Sequence, residues 1–107
     1  MSQDRSDARI AVLERMCRAR PGDPRLRFGL AVEYENAGRI EDAVRELQTY
    51  LALTEDEGNA WGRLGALLRR LGRHEEARAA YRRGIEQARR HDHPSMAADL
   101  EGELADS

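Results

Sequence analysis

The sequence predicts an all-α fold, a right-handed helical-repeat solenoid in which about six helices form antiparallel pairs. The first observation is a repeat of 34 residues: the run 30–43 returns as 64–77, and each run contains a turn glycine, Gly38 and then Gly72. The second is that apolar residues recur three and four positions apart, and no segment alternates with a period of two. Stacked helix pairs of this period present a concave surface, which is typical of binding modules.

The length of 107 residues is enough for one helical domain, 1–107, without a covalent staple. The single cysteine, Cys17, excludes an intramolecular disulfide and a cysteine-based zinc site. Its place four residues after Leu13 predicts a small buried apolar group. The N-terminus is charged and no apolar stretch approaches a membrane span, so we expect no signal peptide, no membrane contact and a cytoplasmic protein.

Charge is distributed in bands along the chain. All 18 basic residues are arginine, and the segment 58–91 holds nine of them against three acidic residues. The segment 92–107 holds five acidic residues and no arginine. The basic band raises nucleic acid as an alternative partner. The arginines are spread around two predicted helices and the net charge is −2, and both facts disfavour a nucleic-acid interface.

The first helix is predicted over about 6–20, because apolar residues share one face at spacings of three and four. Asp23 and Pro24 then form a start signal, a capping side chain followed by proline at the first helical position. The second helix is therefore predicted from Pro24 to Ala37, and Gly38 supplies the left-handed residue that ends it. The apolar face of the first helix consists of Ile10, Leu13, Met16 and Cys17.

The third helix is predicted over 40–53, and the polar run after it is a loop. Asn59 is the candidate cap of a fourth helix that continues to Leu71. The fifth helix is predicted over 74–90 and the last over 94–105. The core-facing side chains of the third helix are Ile40, Ala43, Val44, Leu47 and Leu51.

These residues resemble the tetratricopeptide repeat, in which a large aromatic, Leu-Gly and Tyr mark the first helix, and Ala, an aromatic and Ala mark the second. The second repeat departs from this pattern at Leu68 and Gly84. The first has Arg27 at the place of the large aromatic and Tyr50 at that of the closing alanine. The matching residues are Trp61, Leu64, Gly65, Ala77 and Tyr81 in the second repeat, and Leu30, Ala31, Tyr34, Ala43 and Leu47 in the first.

In this register the chain consists of a half-repeat, two full repeats and a cap. Small residues at the matching positions are expected to let the paired helices approach closely. The predicted divisions are a half-repeat helix at 6–20, repeat one at 24–57, repeat two at 58–91 and a capping helix at 94–105.

The capping helix carries a stripe of Met96, Leu100 and Leu104 at positions that line the groove in the family. Either the helix is rotated so that the stripe covers the preceding pair, or part of the stripe is exposed. An exposed stripe offers a contact for a partner or for a second copy of the chain.

The resemblance implies that the first helix of each pair lines the concave face and contacts a partner. The ring of Phe28 aligns with a glycine of repeat two, so it either packs into that space or forms a platform for a ligand. Glu35 corresponds to Arg69 in the next repeat, and the two side chains are expected to form a surface salt bridge. Arg70 faces no acidic residue and is the better candidate to bind a carboxylate of the partner. The predicted partner-binding residues are Arg25, Phe28, Val32, Glu35, Asn36, Asn59, Ala66, Arg69 and Arg70.

The function expected from these features is that of a scaffold or adaptor that binds a protein or peptide segment. The lysine, asparagine and arginine clamp by which some family members hold a terminal carboxylate is not reproduced here. The alternative is a self-associating module joined through the capping helix, a monomer or weak homodimer. His91 and His93 lack further metal ligands at a recognisable spacing, and no catalytic motif is present, so we expect no metal, no cofactor and no enzyme activity.

Overall fold

The computed structural model describes the backbone of residues 2–107 and the side chains of residues 5–107. This part of the chain contains six α-helices and no strand, so the predicted all-α helical-repeat fold is confirmed. The helices are α1 (Ser2–Ala19), α2 (Pro24–Asn36), α3 (Ile40–Leu53), α4 (Asn59–Arg70), α5 (His74–Arg90) and α6 (Pro94–Ala105).

The helices form two compact units. The first unit ends at Thr54 and holds α1 to α3, and the second unit, Glu55–Ser107, holds α4 to α6. Three helices have the predicted bounds, and α2 and α4 end one residue earlier than predicted. The helix α1 runs from Ser2 to Ala19 rather than over about 6–20. The single domain expected over 1–107, with its division into repeats, stays a prediction.

The start of α2 and the two turn glycines follow the sequence signals. The Asp23 carboxylate accepts a hydrogen bond of 3.0 Å from the backbone N–H of Arg25, and Pro24 occupies the first turn. Gly38 and Gly72 have φ angles of +78° and +74°, the left-handed conformation in which a side chain is strained.

The prediction that Asn59 caps α4 is wrong. Asn59 already lies within the helix, and the residue before it is Gly58, with φ +129°. The capping acceptor is the Asp56 carboxylate, which receives the N–H groups of Gly58 at 2.9 Å and Ala60 at 2.8 Å. A side chain at Gly58 would also be crowded, because a Cβ there would lie 3.0 Å from the backbone oxygen of Gly84 and 2.8 Å from the sulfur of Met96.

In the first unit α1 packs on α2 through Ile10 and Cys17, which are 2% and 3% exposed. These two residues are seven positions apart and so lie on one line of the helix. Met16, predicted on the same face, is 43% exposed, because it lies about 100° around the helix from Cys17. Burial raises the pKa of the Cys17 thiol, which agrees with the predicted packing role.

Two polar side-chain contacts join the helices of the first unit. Arg27 stands where the repeat has its large aromatic, and its guanidinium donates to the Glu46 carboxylate at 2.8 Å. That hydrogen bond raises the pKa of Arg27. The buried Tyr34 hydroxyl donates to Glu14 at 2.6 Å and joins α2 to α1. Burial, followed by this hydrogen bond, raises the pKa of Tyr34 to about 12.

We therefore expect the first unit to lose stability between pH 10 and 12. An unfolded tyrosine ionises near pH ~10, whereas folded Tyr34 keeps its proton to about pH 12, so the folded state binds the proton more tightly. The contribution is complete below pH ~10 and is lost as pH rises toward 12, by up to about 2 kcal/mol. Urea unfolding of the wild type and of Tyr34→Phe at several pH values tests this. Equal pH dependence in the two proteins would contradict the assignment.

In the second unit α4 and α5 meet at a glycine. A Cβ on Gly65 would lie 2.8 Å from the ring of Tyr81, so the aromatic side chain occupies the space that the glycine leaves. Ala77, the other small residue of this contact, is fully buried. The predicted close approach of the paired helices is present here.

The helix α6 covers the α4–α5 pair. The Leu100 side chain is buried and lies between two glycines, since a Cβ on Gly62 would approach it to 2.7 Å and a Cβ on Gly84 to 3.0 Å. Met96 and Leu104 are half-buried. The centre of the stripe, Leu100, therefore packs onto the preceding helix pair, which is the first of the two predicted alternatives. Its two ends, Met96 and Leu104, are partly accessible.

Candidate partner-binding surfaces

The first unit presents the predicted residues of α2 along one line of the helix. Arg25, Val32 and Asn36 are separated by seven and four positions, which places them on one face. Arg25 and Asn36 are exposed and Val32 is half-buried. Glu35 lies beside this line and is half-buried.

Phe28 lies next to the line and contacts a second aromatic ring. Its ring centroid is 5.1 Å from that of Tyr50 on α3, with an angle of 58° between the planes. Both side chains are half-buried. The ring is therefore fixed by packing and is also accessible on part of its surface, and contact with a ligand stays a prediction.

The second unit presents a corresponding line on α4. Asn59, Ala66 and Arg70 are separated by seven and four positions, and all three are exposed. No ion pair or hydrogen bond joins the Arg70 guanidinium to another side chain among residues 5–107. Arg70 is thus a free cation within this part of the chain, on a face that it shares with Arg63, seven positions earlier.

Arg69 differs from Arg70 because it is held within the second unit. Its guanidinium donates to the Glu103 carboxylate at 2.9 Å and to the backbone carbonyl of Asp106 at 3.5 Å. The neighbouring Tyr81 hydroxyl, followed by Glu103, raises the pKa of Arg69. Glu103 was not predicted as a partner of Arg69, although it follows Arg69 by 34 residues, just as Glu35 precedes it by 34. The pairing of Arg69 with Glu35 stays a prediction.

Most arginines of the basic band have intramolecular partners. Arg83 lies over the ring of Trp61, with 4.9 Å between its guanidinium carbon and the ring centroid. At least five of the nine pair with a carboxylate, which leaves less free positive charge than the composition suggests. These pairs are Arg69–Glu103, Arg73–Glu76, Arg78–Glu75, Arg89–Glu101 and Arg90–Glu55.

The histidines near the start of α6 contact acidic residues. The Nε2 atom of His93 lies 2.5 Å from a Glu57 carboxylate oxygen, and this hydrogen bond lowers the pKa of Glu57. His91 lies 3.9 Å from Glu55 and 4.0 Å from Glu57. No group of three potential ligands in the described part of the chain is arranged to hold a metal ion. Within the same residues, no helix combines the length and the apolar character that crossing a bilayer requires.

The family comparison matches the tetratricopeptide repeat over residues 28–98. No curated protein shows significant sequence similarity to the chain. Among solved structures, MamA AMB-1 P212121 is 27% identical with a TM-score of 0.72, and the match covers 80% of this chain and 51% of MamA. The chain therefore spans about half the length of the MamA chains it resembles.

Two further solved structures share the fold over nearly the whole chain. PcrH in complex with the chaperone binding region of PopD is 17% identical with a TM-score of 0.83, covering 95% of this chain and 77% of PcrH. The first TPR of Spaghetti (RPAP3) bound to HSP90 peptide SRMEEVD is 24% identical with a TM-score of 0.72, covering 97% of this chain and 83% of that one. At these identities the likeness concerns the fold.

Proposed function

Because this chain belongs to the tetratricopeptide repeat family, we propose that it is a protein-interaction module that binds a peptide or protein segment through the exposed faces of α2 and α4. Two proteins of the same fold are bound to such segments, the chaperone binding region of PopD and the HSP90 peptide. The role proposed is that of a scaffold or adaptor in the cytoplasm, without catalytic activity.

The observation that carries this proposal is the exposed line on α4. A free guanidinium at Arg70, on the same helix face as the exposed Ala66 and Asn59, provides charge and hydrogen-bonding groups to a passing chain without first breaking an internal ion pair. Arg69 would have to leave Glu103 to bind an anion, so Arg70 is the principal anion contact of this proposal.

The α2 line of the first unit offers an apolar contact of its own. Val32 is half-buried, and the ring of Phe28 is fixed against Tyr50, so both contribute apolar area with little loss of side-chain freedom on binding. A segment that combines an acidic group with a hydrophobic side chain has the matching chemistry. Charge then contributes orientation and association rate, and the apolar contact slows dissociation.

The test is selection from a library of free C-terminal peptides displayed on phage, followed by anisotropy measurements on the selected peptides. We expect acidic sequences with a hydrophobic side chain. Arg70→Glu should weaken their binding by at least about tenfold, the effect of losing a charge-assisted contact. Arg20→Glu, an exposed arginine outside both lines, is the matched control and should change affinity by less than about twofold. Failure to select any peptide, or equal affinity for Arg70→Glu and wild type, would overturn the proposal.

A further inference from the structure

The helix α1 has an exposed apolar face beside the one that packs on α2. Val12 and Met16 are 44% and 43% exposed, which sets them apart from the other large apolar side chains of α1. A shallow cavity of about 410 Å³ lies along this face. It is lined by Ala8, Arg9, Val12 and Leu13.

The 34-residue repeat shows which residues of α5 correspond to this face of α1, and the structure shows what those residues pack against. Leu13 corresponds to Tyr81 of α5, and Met16 corresponds to Gly84. In the second unit these two α5 residues face α4: Tyr81 fills the space at Gly65, and a Cβ on Gly84 would lie 3.0 Å from the Cβ of Trp61. The exposed face of α1 therefore corresponds to the face of α5 that packs on α4, the first helix of the same repeat.

The helix α6 has the complementary property. Three residues of α6 correspond, 34 positions later, to residues of α4 that face α5: Ser95 to Trp61, Asp99 to Gly65 and Gly102 to Leu68. The pair at Gly65 and Leu68 is buried on α4, whereas all three α6 residues are exposed, and nothing lies within 4 Å of a Cβ built on Gly102. The α6 face at which a second helix would pack consists of small or short side chains and is open.

From these two faces we infer that the chain associates with itself head to tail, the α1 face of one copy packing on the α6 face of the next to complete a helix pair. Charge favours this pairing. The carboxylate of Asp99 stands on the open face of α6, while Arg15 and Arg18 flank the exposed stripe of α1.

This inference goes beyond the proposed peptide binding and is tested separately. One helix pair buries less surface than a standard stable interface, so the contact should be weak and concentration-dependent. In sedimentation equilibrium from about 10 μM to about 1 mM, the weight-average mass should rise from the monomer value of 12.1 kDa to at least about twice that value. A wild type that stays monomeric throughout would overturn the inference.

Paired variants distinguish a head-to-tail contact from a symmetric one. Val12→Arg blocks the α1 face and Ala98→Arg blocks the α6 face, both at exposed positions, so each protein alone should remain monomeric. An equimolar mixture retains one intact face of each kind, so it should form dimers and stop there. Three outcomes would contradict the head-to-tail contact. Association of Val12→Arg alone would indicate an α6–α6 contact or a different surface, association of Ala98→Arg alone would indicate an α1–α1 contact or a different surface, and a mixture that stays monomeric would show that the two intact faces do not bind each other. Ser95→Arg replaces Ala98→Arg if the latter melts below the wild type.

Discussion

Leu100→Ala is expected to lower the free energy of unfolding by about 2 to 4 kcal/mol. The wild-type side chain fills the space between Gly62 and Gly84, and two glycines offer no side chains of their own to close the resulting cavity. The loss therefore combines the transfer energy of the removed methyl groups with the energy of a cavity that collapses poorly. Urea unfolding monitored by circular dichroism and by Trp61 fluorescence measures the change in the second unit.

Leu53→Ala is the matched control for this variant. Leu53 is also a helical leucine, but it is 41% exposed, so its truncation should cost less than about 1 kcal/mol. Equal losses for the two variants would mean that Leu100 is not the side chain that fixes α6 to the α4–α5 pair.

Gly65→Ala is expected to destabilise the second unit by about 1 to 3 kcal/mol, although alanine is the better helix former. The added methyl group would lie 2.8 Å from the Tyr81 ring, which is buried against α4 and has little room to move. Thermal and urea unfolding should both show the loss.

The same substitution at Gly102 should have the opposite sign. Gly102 also lies in a helix interior, and no atom lies within 4 Å of its added Cβ, so Gly102→Ala should stabilise the protein by about 0.5 to 1 kcal/mol. If both alanine variants are stabilised, the α4–α5 contact is looser than the structure indicates.

The fold was predictable because its signals repeat and are local. Pro24 and the turn glycines Gly38 and Gly72 mark helix boundaries wherever they occur, and the 34-residue register links each turn to its counterpart. The first turn of α1 was missed because residues 2–4 contain no apolar side chain to extend the periodic face. The start of α4 was misassigned because Asp56, four residues before the N–H of Ala60, provides the cap from within the preceding loop.

The candidate site was less predictable, because it depends on which charges pair. Arg69 and Arg70 are adjacent and chemically identical, yet Arg69 is held by Glu103 and Arg70 is not. Such a difference follows from the direction of each side chain and from the position of α6, which periodicity alone does not give. Likewise, Phe28 aligns with Gly62, but this alignment did not indicate which residue the ring contacts. In the structure it packs on Tyr50, which corresponds to Gly84 of the second repeat.

The burial of Cys17 gives the chain a reporter for the opening of its N-terminal part. The thiol is 3% exposed, its pKa is raised by burial, and it is the only thiol in the sequence. A disulfide reagent can react with it only after α1 separates from α2, so the modification rate, corrected for the rate of a free thiolate, measures the equilibrium of that local opening. The second unit contributes no background to the signal, and the opening of the first can be followed without any introduced label.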